Sequence, residues 1–100
     1  MNASDGIGIT AGLLARAHLE LGNTDTAARA AREALEASQT STNLTGLATA
    51  KWVLAKVERA EQRMVTANQL FEEALSFGRQ GGNTGLTEAI ELDYARGADT

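Results

Sequence analysis

Three basic side chains recur at intervals of forty residues along this chain of 100 residues. They are Arg16, Lys56 and Arg96, and Trp52 and Arg59 lie about one helical turn on either side of Lys56. Guanidinium and ammonium groups donate charge-assisted hydrogen bonds to carboxylates, and an indole adds apolar contact area. The chemistry that these residues predict is recognition of an acidic or C-terminal peptide segment.

A simpler interpretation of the same residues stays open at this point. The charges can be solvated side chains on a helix face, neutralised by Glu58 and Glu61 nearby. Trp52 has the same ambiguity, because a tryptophan can equally be a buried packing residue between helices. The sequence alone does not choose between a binding surface and an ordinary solvated face.

Residue types that perform catalysis are few and badly placed. Glu72 and Glu73 are adjacent, so on a helix their side chains point about 100° apart and cannot share one bond as an acid–base pair. His18 is the single histidine and the chain has no cysteine, so a metal site with His and Cys ligands is not expected. We therefore expect no enzymatic activity, no metal and no cofactor.

Composition narrows the classes of function and the compartment. Thirteen acidic and nine basic residues give a net charge of −4, which disfavours direct binding to nucleic acid or to an anionic membrane. The segment from Met1 to Thr10 lacks the basic start and apolar run of a signal peptide, and no segment approaches the ~20 consecutive apolar residues that span a bilayer. With no cysteine in the chain, these features predict a cytoplasmic protein.

The chain has no proline and is rich in Ala, Arg, Glu and Leu, which predicts helix almost throughout and no strand. Turn residues divide it into about five helices. Gly22 suits the left-handed cap that ends the first helix, and Asn43 and Asn83 suit the N-caps of the third and fifth. Gln62 stands where the repetition would place a glycine, and a capping box from Thr66 to Gln69 is expected to start the fourth helix late.

Apolar positions recur with the same period and predict how the helices pack. The first helix is expected to meet the second through Leu14, His18 and Leu21 against Ala27, Ala31, Ala34 and Leu35. The third is expected to meet the fourth through Leu54, Ala55 and Val57 against Ala67, Leu70, Phe71, Ala74 and Leu75.

This pattern resembles the tetratricopeptide repeat (TPR), a helix hairpin with spaced apolar and small residues and a turn glycine. The matching residues are Leu14, Ala15, His18, Gly22, Ala27, Ala31, Ala34 and Leu35, then Leu54, Ala55, Ala67, Phe71, Ala74 and Leu75. The long period is similar to the subclass with repeats of about 40 to 42 residues, which includes kinesin light chain, the G-protein-signalling modulators and the sensor arms of maltose-activator-like bacterial transcription activators.

The resemblance implies an all-α, right-handed solenoid of antiparallel hairpins forming one domain. Its repeats would span about 5–42, about 43–82 and, in part, about 83–97. It also implies a non-catalytic module that binds a partner peptide or helix along a concave face lined by the first helix of each hairpin. The concave residues expected to contact the partner are Arg16, Leu19, Trp52, Lys56, Arg59, Leu92 and Arg96, with Gly12 completing the strip.

Two further expectations follow from the resemblance. The alternative function is an effector-sensing regulatory arm, part of a larger bacterial transcription regulator or signalling ATPase. The fifth helix has apolar residues but no helix after it to cover them, so either the chain is part of something longer or it forms a homo-oligomer through this C-terminal helix.

Overall fold

The computed structural model of the chain describes residues 14–41 and 43–98. Those ranges contain five helical segments and no strand, which confirms the all-α class. The segment α1 is helical over residues 14–20, followed by α2 (Thr24–Ser41), α3 (Leu44–Ala60), α4 (Met64–Gln80) and α5 (Thr84–Ala98). None of the helices described here combines the length and the apolar character needed to cross a membrane.

One backbone hydrogen bond recurs at every helix junction in the described ranges. The amides of Asn23, Asn43, Arg63 and Asn83 each donate to the carbonyl five residues earlier, over distances of 2.8, 2.9, 2.9 and 3.1 Å. Such a bond satisfies a carbonyl that the end of a helix leaves unpaired, as in the Schellman motif. Because these four residues are spaced twenty apart, the repeating unit of the backbone is one helix with its turn. Its length of twenty residues is half the forty-residue period of the side-chain pattern.

The asparagine caps are confirmed, whereas the predicted start of the fourth helix is wrong. Asn43 Oδ1 accepts a hydrogen bond of 3.1 Å from the backbone amide of Gly46, and Asn83 Oδ1 accepts one of the same length from the amide of Leu86. The fourth helix begins at Met64, with Arg63 at its N-cap and no side-chain hydrogen bond there. The shared turn geometry therefore sets this start, and the expected capping box does not.

The α3–α4 turn adopts the shared geometry without a glycine. Gln62 has φ of 65°, in the left-handed region where Gly22 and Gly82 have φ of 84° and 67°. A side chain in this region brings its Cβ close to the following carbonyl, which costs roughly 1–2 kcal/mol. The turn is therefore strained at one residue.

The core consists of many alanines and few large side chains, with α3 at its centre in contact with α2, α4 and α5. Two clusters meet on α3. One joins Ala15, Ala27, Ala28 and Ala31 to Val53 and Val57. The other joins Ala48, Trp52 and Ala55 to Phe71, Ala74, Leu75 and Ile90.

This packing corrects two of the predicted faces. Leu54 and Val57 pack toward the first hairpin rather than toward α4, because the central α3 presents two apolar faces and these residues lie on the one that meets α2. Leu14 and Leu21 are 52% and 75% exposed rather than inward. The inward face of α1 is centred one residue further on, at Ala15, which is fully buried.

The strained turn leads to a stability prediction. Replacing Gln62 by glycine removes the Cβ that makes the left-handed conformation costly, so we expect the free energy of unfolding to rise by about 0.5–1 kcal/mol. Urea unfolding followed by circular dichroism measures this change. The matched control is Gln69→Gly at an exposed position inside α4, where glycine should lower the free energy by about 1 kcal/mol. Destabilisation by both substitutions would contradict the assignment of strain to Gln62.

Candidate functional site

Six of the seven residues predicted to form the site line one cleft of about 300 Å³ between α1, α3 and α5. We call it the basic cleft. The six are Arg16 and Leu19 from α1, Trp52 and Lys56 from α3, and Leu92 and Arg96 from α5. Gly12, which was expected to complete the strip beside these seven residues, lies outside the described residues.

The regular backbone explains why residues far apart in sequence meet here. Each helix with its turn spans twenty residues, so positions forty apart occupy the same level in alternate helices. Arg16 lies seven residues before Asn23, the residue that follows its turn. Lys56 lies seven residues before Arg63, which follows the corresponding turn forty residues later. The forty-residue spacing of these side chains therefore brings them together at one level of the structure.

Asp93 was not predicted from the sequence, and it organises one wall of the cleft. Its carboxylate accepts a hydrogen bond from Trp52 Nε1 at 2.7 Å and one from Arg59 Nη2 at 2.6 Å. Lys56 Nζ lies 3.2 Å from the same carboxylate, and Arg59 Nη1 donates to the Asp93 carbonyl at 2.9 Å. Arg59, the seventh predicted residue, therefore ties α3 to α5 instead of lining the cleft.

A weak signal for Asp93 was present in the sequence. Forty residues earlier stands Val53, which is fully buried, so Asp93 places a carboxylate at a core position of the repeat. A charged residue at such a position must be paired or hydrogen-bonded. The register alone, however, does not say which of the nearby cations pairs with it.

Partial burial raises the pKa of Asp93, but the hydrogen bonds from Arg59 and Trp52 and the charge of Lys56 outweigh it. The net result is a pKa below the usual 3.8, so the carboxyl is ionised at neutral pH. Lys56 and Arg59 therefore share one carboxylate within the chain. The expected neutralisers, Glu58 and Glu61, pair with Arg63 instead.

The structure also places Trp52, whose role the sequence left open. Its side chain is only 7% exposed and belongs to the core cluster around Phe71. The Arg16 guanidinium lies 5.0 Å and the Lys56 ammonium 5.3 Å from the centre of its ring, close enough for cation–π attraction. Trp52 is thus a packing residue that holds two cations at the cleft.

Two arginines at the cleft differ from Lys56 and Arg59 in their electrostatic surroundings. Within the described ranges, neither Arg16 nor Arg96 forms an ion pair, although the exposed Glu20 also lines the cleft. Leu92 beside them is 62% exposed. The arrangement can accept a carboxylate from solution and give its apolar neighbour a contact surface.

The chain was compared with known proteins in three ways. No protein-family model, curated protein or solved structure matches it.

The Asp93 contacts lead to a pH-dependent stability prediction. Asp93→Asn removes the charge that two cations share, and we expect the free energy of unfolding at pH 7 to fall by about 1–3 kcal/mol. Because the folded-state pKa is lowered, the stabilisation is present above the unfolded-state value near 3.8 and is lost as the pH falls through the folded-state pKa. The difference in free energy of unfolding between the wild type and the variant should therefore become smaller below about pH 4.

Urea unfolding between pH 7 and pH 3, followed by the fluorescence of Trp52, the single tryptophan, measures this difference. The control is Glu73→Gln, which removes one exposed ion pair with Lys51 and should cost less than about 1 kcal/mol. An Asp93→Asn effect that is no larger than the control, or that does not change with pH, would contradict the assigned role.

Proposed function

We propose that the chain is a non-catalytic protein-interaction module that binds a partner peptide in the basic cleft. The observation that carries the proposal is the pair Arg16 and Arg96, whose guanidinium groups meet at one cleft with no ion pair in the described part of the chain. Basic groups left free in an otherwise acidic protein favour an anionic ligand.

We also propose that the helices form a TPR-like, right-handed solenoid. Two features support stacked hairpins: α3 contacts α5 as well as its chain neighbours, and the same backbone hydrogen bond recurs at every described junction. In such a stack, alternate helices α1, α3 and α5 line one side, and these are the three helices that line the basic cleft.

The division of the cations defines the chemistry of the ligand. Lys56 and Arg59 are both paired with Asp93, so a ligand carboxylate is bound by Arg16 and Arg96, which have no ion pair in the described ranges. The exposed Leu92 favours an apolar side chain close to that carboxylate. The expected ligand is an acidic segment with an adjacent apolar residue, for which charge-assisted hydrogen bonds at a partly exposed site contribute about 1–3 kcal/mol.

A peptide fits the cleft better than a small effector does. A volume of about 300 Å³ lies at the lower limit of small-molecule sites, which enclose most of their ligand. The polar groups around Asp93 are also satisfied by one another, so they do not converge on an empty cavity. Both observations favour the interaction module over the effector-sensing arm.

Selection from a random dodecapeptide library, followed by calorimetric titration of the selected peptides, tests the proposal. We expect the peptides to share an acidic residue beside an apolar one and to bind more weakly as salt is raised. The variant Arg16→Glu/Arg96→Glu should weaken their binding at least tenfold, because it converts attraction for the carboxylate into repulsion. Circular dichroism checks that its fold is intact.

The control variant is Arg29→Glu/Arg32→Glu, which changes the net charge equally at exposed positions of α2 outside the cleft. It should leave binding within about twofold of the wild type, apart from a general charge effect that salt removes. Equal losses in both variants, or selected peptides without acidic residues, would refute binding at the cleft.

A further inference from the structure

A second surface, separate from the basic cleft, lies where α4 and α5 meet. It is a groove of about 520 Å³, which we call the α4–α5 groove. Its apolar side chains include Met64, which is 42% exposed, and Tyr94, whose ring stacks on that of the buried Phe71 with the ring centres 4.9 Å apart. The groove is long enough along α5 to include both Glu91 and Ala95, one helical turn apart.

The sequence repeat shows what covers the corresponding surface one period earlier. Glu91 and Ala95 stand forty residues after Lys51 and Ala55 of α3. Ala55 is fully buried in the cluster that includes Phe71 and Ala74 of α4. The matching Ala95 is exposed. On α3 this face is therefore covered by a helix, and on α5 the same face is uncovered.

Charge determines which helix suits the uncovered face. On α3, Lys51 forms an ion pair of 3.2 Å with Glu73 of the covering helix. On α5 the place of Lys51 is taken by Glu91, so a covering helix needs a cation where α4 has Glu73. The ion pair of Glu91 with Arg79 is 3.8 Å long and exposed, so it contributes little. Glu88, one turn away and also exposed, adds to the negative charge of this face. Arg59, which also lines the groove, is already paired with Asp93.

We propose that the α4–α5 groove docks a basic amphipathic helix of a partner protein, lying against α5 as α4 lies against α3. Its apolar face packs over Met64, Tyr94 and Ala95, and a Lys or Arg side chain on its edge pairs with Glu91. The proposal concerns a different surface and a ligand of opposite charge, so it is independent of peptide binding at the basic cleft.

A second copy of the chain is a poorer occupant. Its net charge of −4 opposes approach to an acidic face. In the described ranges, the exposed leucines of the first hairpin, Leu14 and Leu21, are accompanied by Glu20, which would meet Glu91 with like charge. The favoured occupant is therefore a different protein.

The probe for this surface is a synthetic amidated peptide with the sequence of residues 64–80 and the substitution Glu73→Lys. It offers the apolar pattern of α4 with a cation opposite Glu91. We expect it to bind the full chain about three- to tenfold more tightly than the unsubstituted peptide, as measured by fluorescence anisotropy. The chain variant Glu91→Lys should reverse this preference.

The change of preference caused by Glu91→Lys distinguishes docking of the peptide in the α4–α5 groove from displacement of α4 by the peptide. A peptide that displaced α4 would face Lys51, so the unsubstituted peptide, which keeps Glu73, would bind better to the wild-type chain. Ala95→Arg, which places a large cation on the uncovered face, should weaken binding of the substituted peptide at least tenfold. Arg16→Glu/Arg96→Glu, which alters only the basic cleft, should weaken it less than about twofold.

Three results would overturn the proposal. The first is no binding of either peptide up to millimolar concentration, and the second is a preference that Glu91→Lys does not reverse. The third is a homodimer, detected by sedimentation velocity, that Ala95→Arg dissociates, because the groove would then be occupied by a second copy.

Discussion

The carboxylate of Asp93 joins α5 to α3 through three donors on α3. Trp52, Lys56 and Arg59 occupy three positions along one helix, and all reach the same acceptor. Burying an ion pair is favourable only where the geometry satisfies the charges, and here an indole N–H completes the arrangement. The side chain of Asp93 is 15% exposed, so water screens these contacts less than it screens an ordinary surface pair.

The polar contact adds to the apolar packing of α5. Ile90 is the large apolar side chain that it buries completely, whereas Leu92 is mostly exposed. Gly97 belongs to the same arrangement, because a Cβ at this position would collide with the guanidinium of Arg59. Leu86, Ala89 and Tyr94 also pack against the core, and the directional hydrogen bonds of Asp93 fix the register of α5 more narrowly than this hydrophobic contact does.

The features that could be predicted from the sequence are those that local chemistry determines. The helical class and the caps at Asn43 and Asn83 depend on residues within one turn of each other. The left-handed conformation of Gln62 was not predictable from its own side chain, because the geometry of the surrounding junction imposes it. Likewise, the inward face of Val57 depends on which helices flank α3, and that is a property of the whole fold.

The same distinction between predictable and unpredictable features applies to the candidate site. Equal spacing placed Arg16, Lys56 and Arg96 at one cleft, because the backbone repeats regularly. Equal spacing did not give them equal roles, since the role of each cation depends on whether a carboxylate lies within reach. Asp93 pairs with Lys56 but forms no ion pair with Arg96, although Arg96 is only three residues away on the same helix.

The two surfaces of α5 follow from its position as the last described helix. One side faces α1 and α3 and carries Arg96, and another carries Glu91 beside the α4–α5 groove. Residues 91 and 96 are five apart, which separates their side chains by about 140° around the helix axis. A single helix can therefore present a positive surface and a negative surface at once, and the Asp93 contacts hold both in fixed orientation relative to α3.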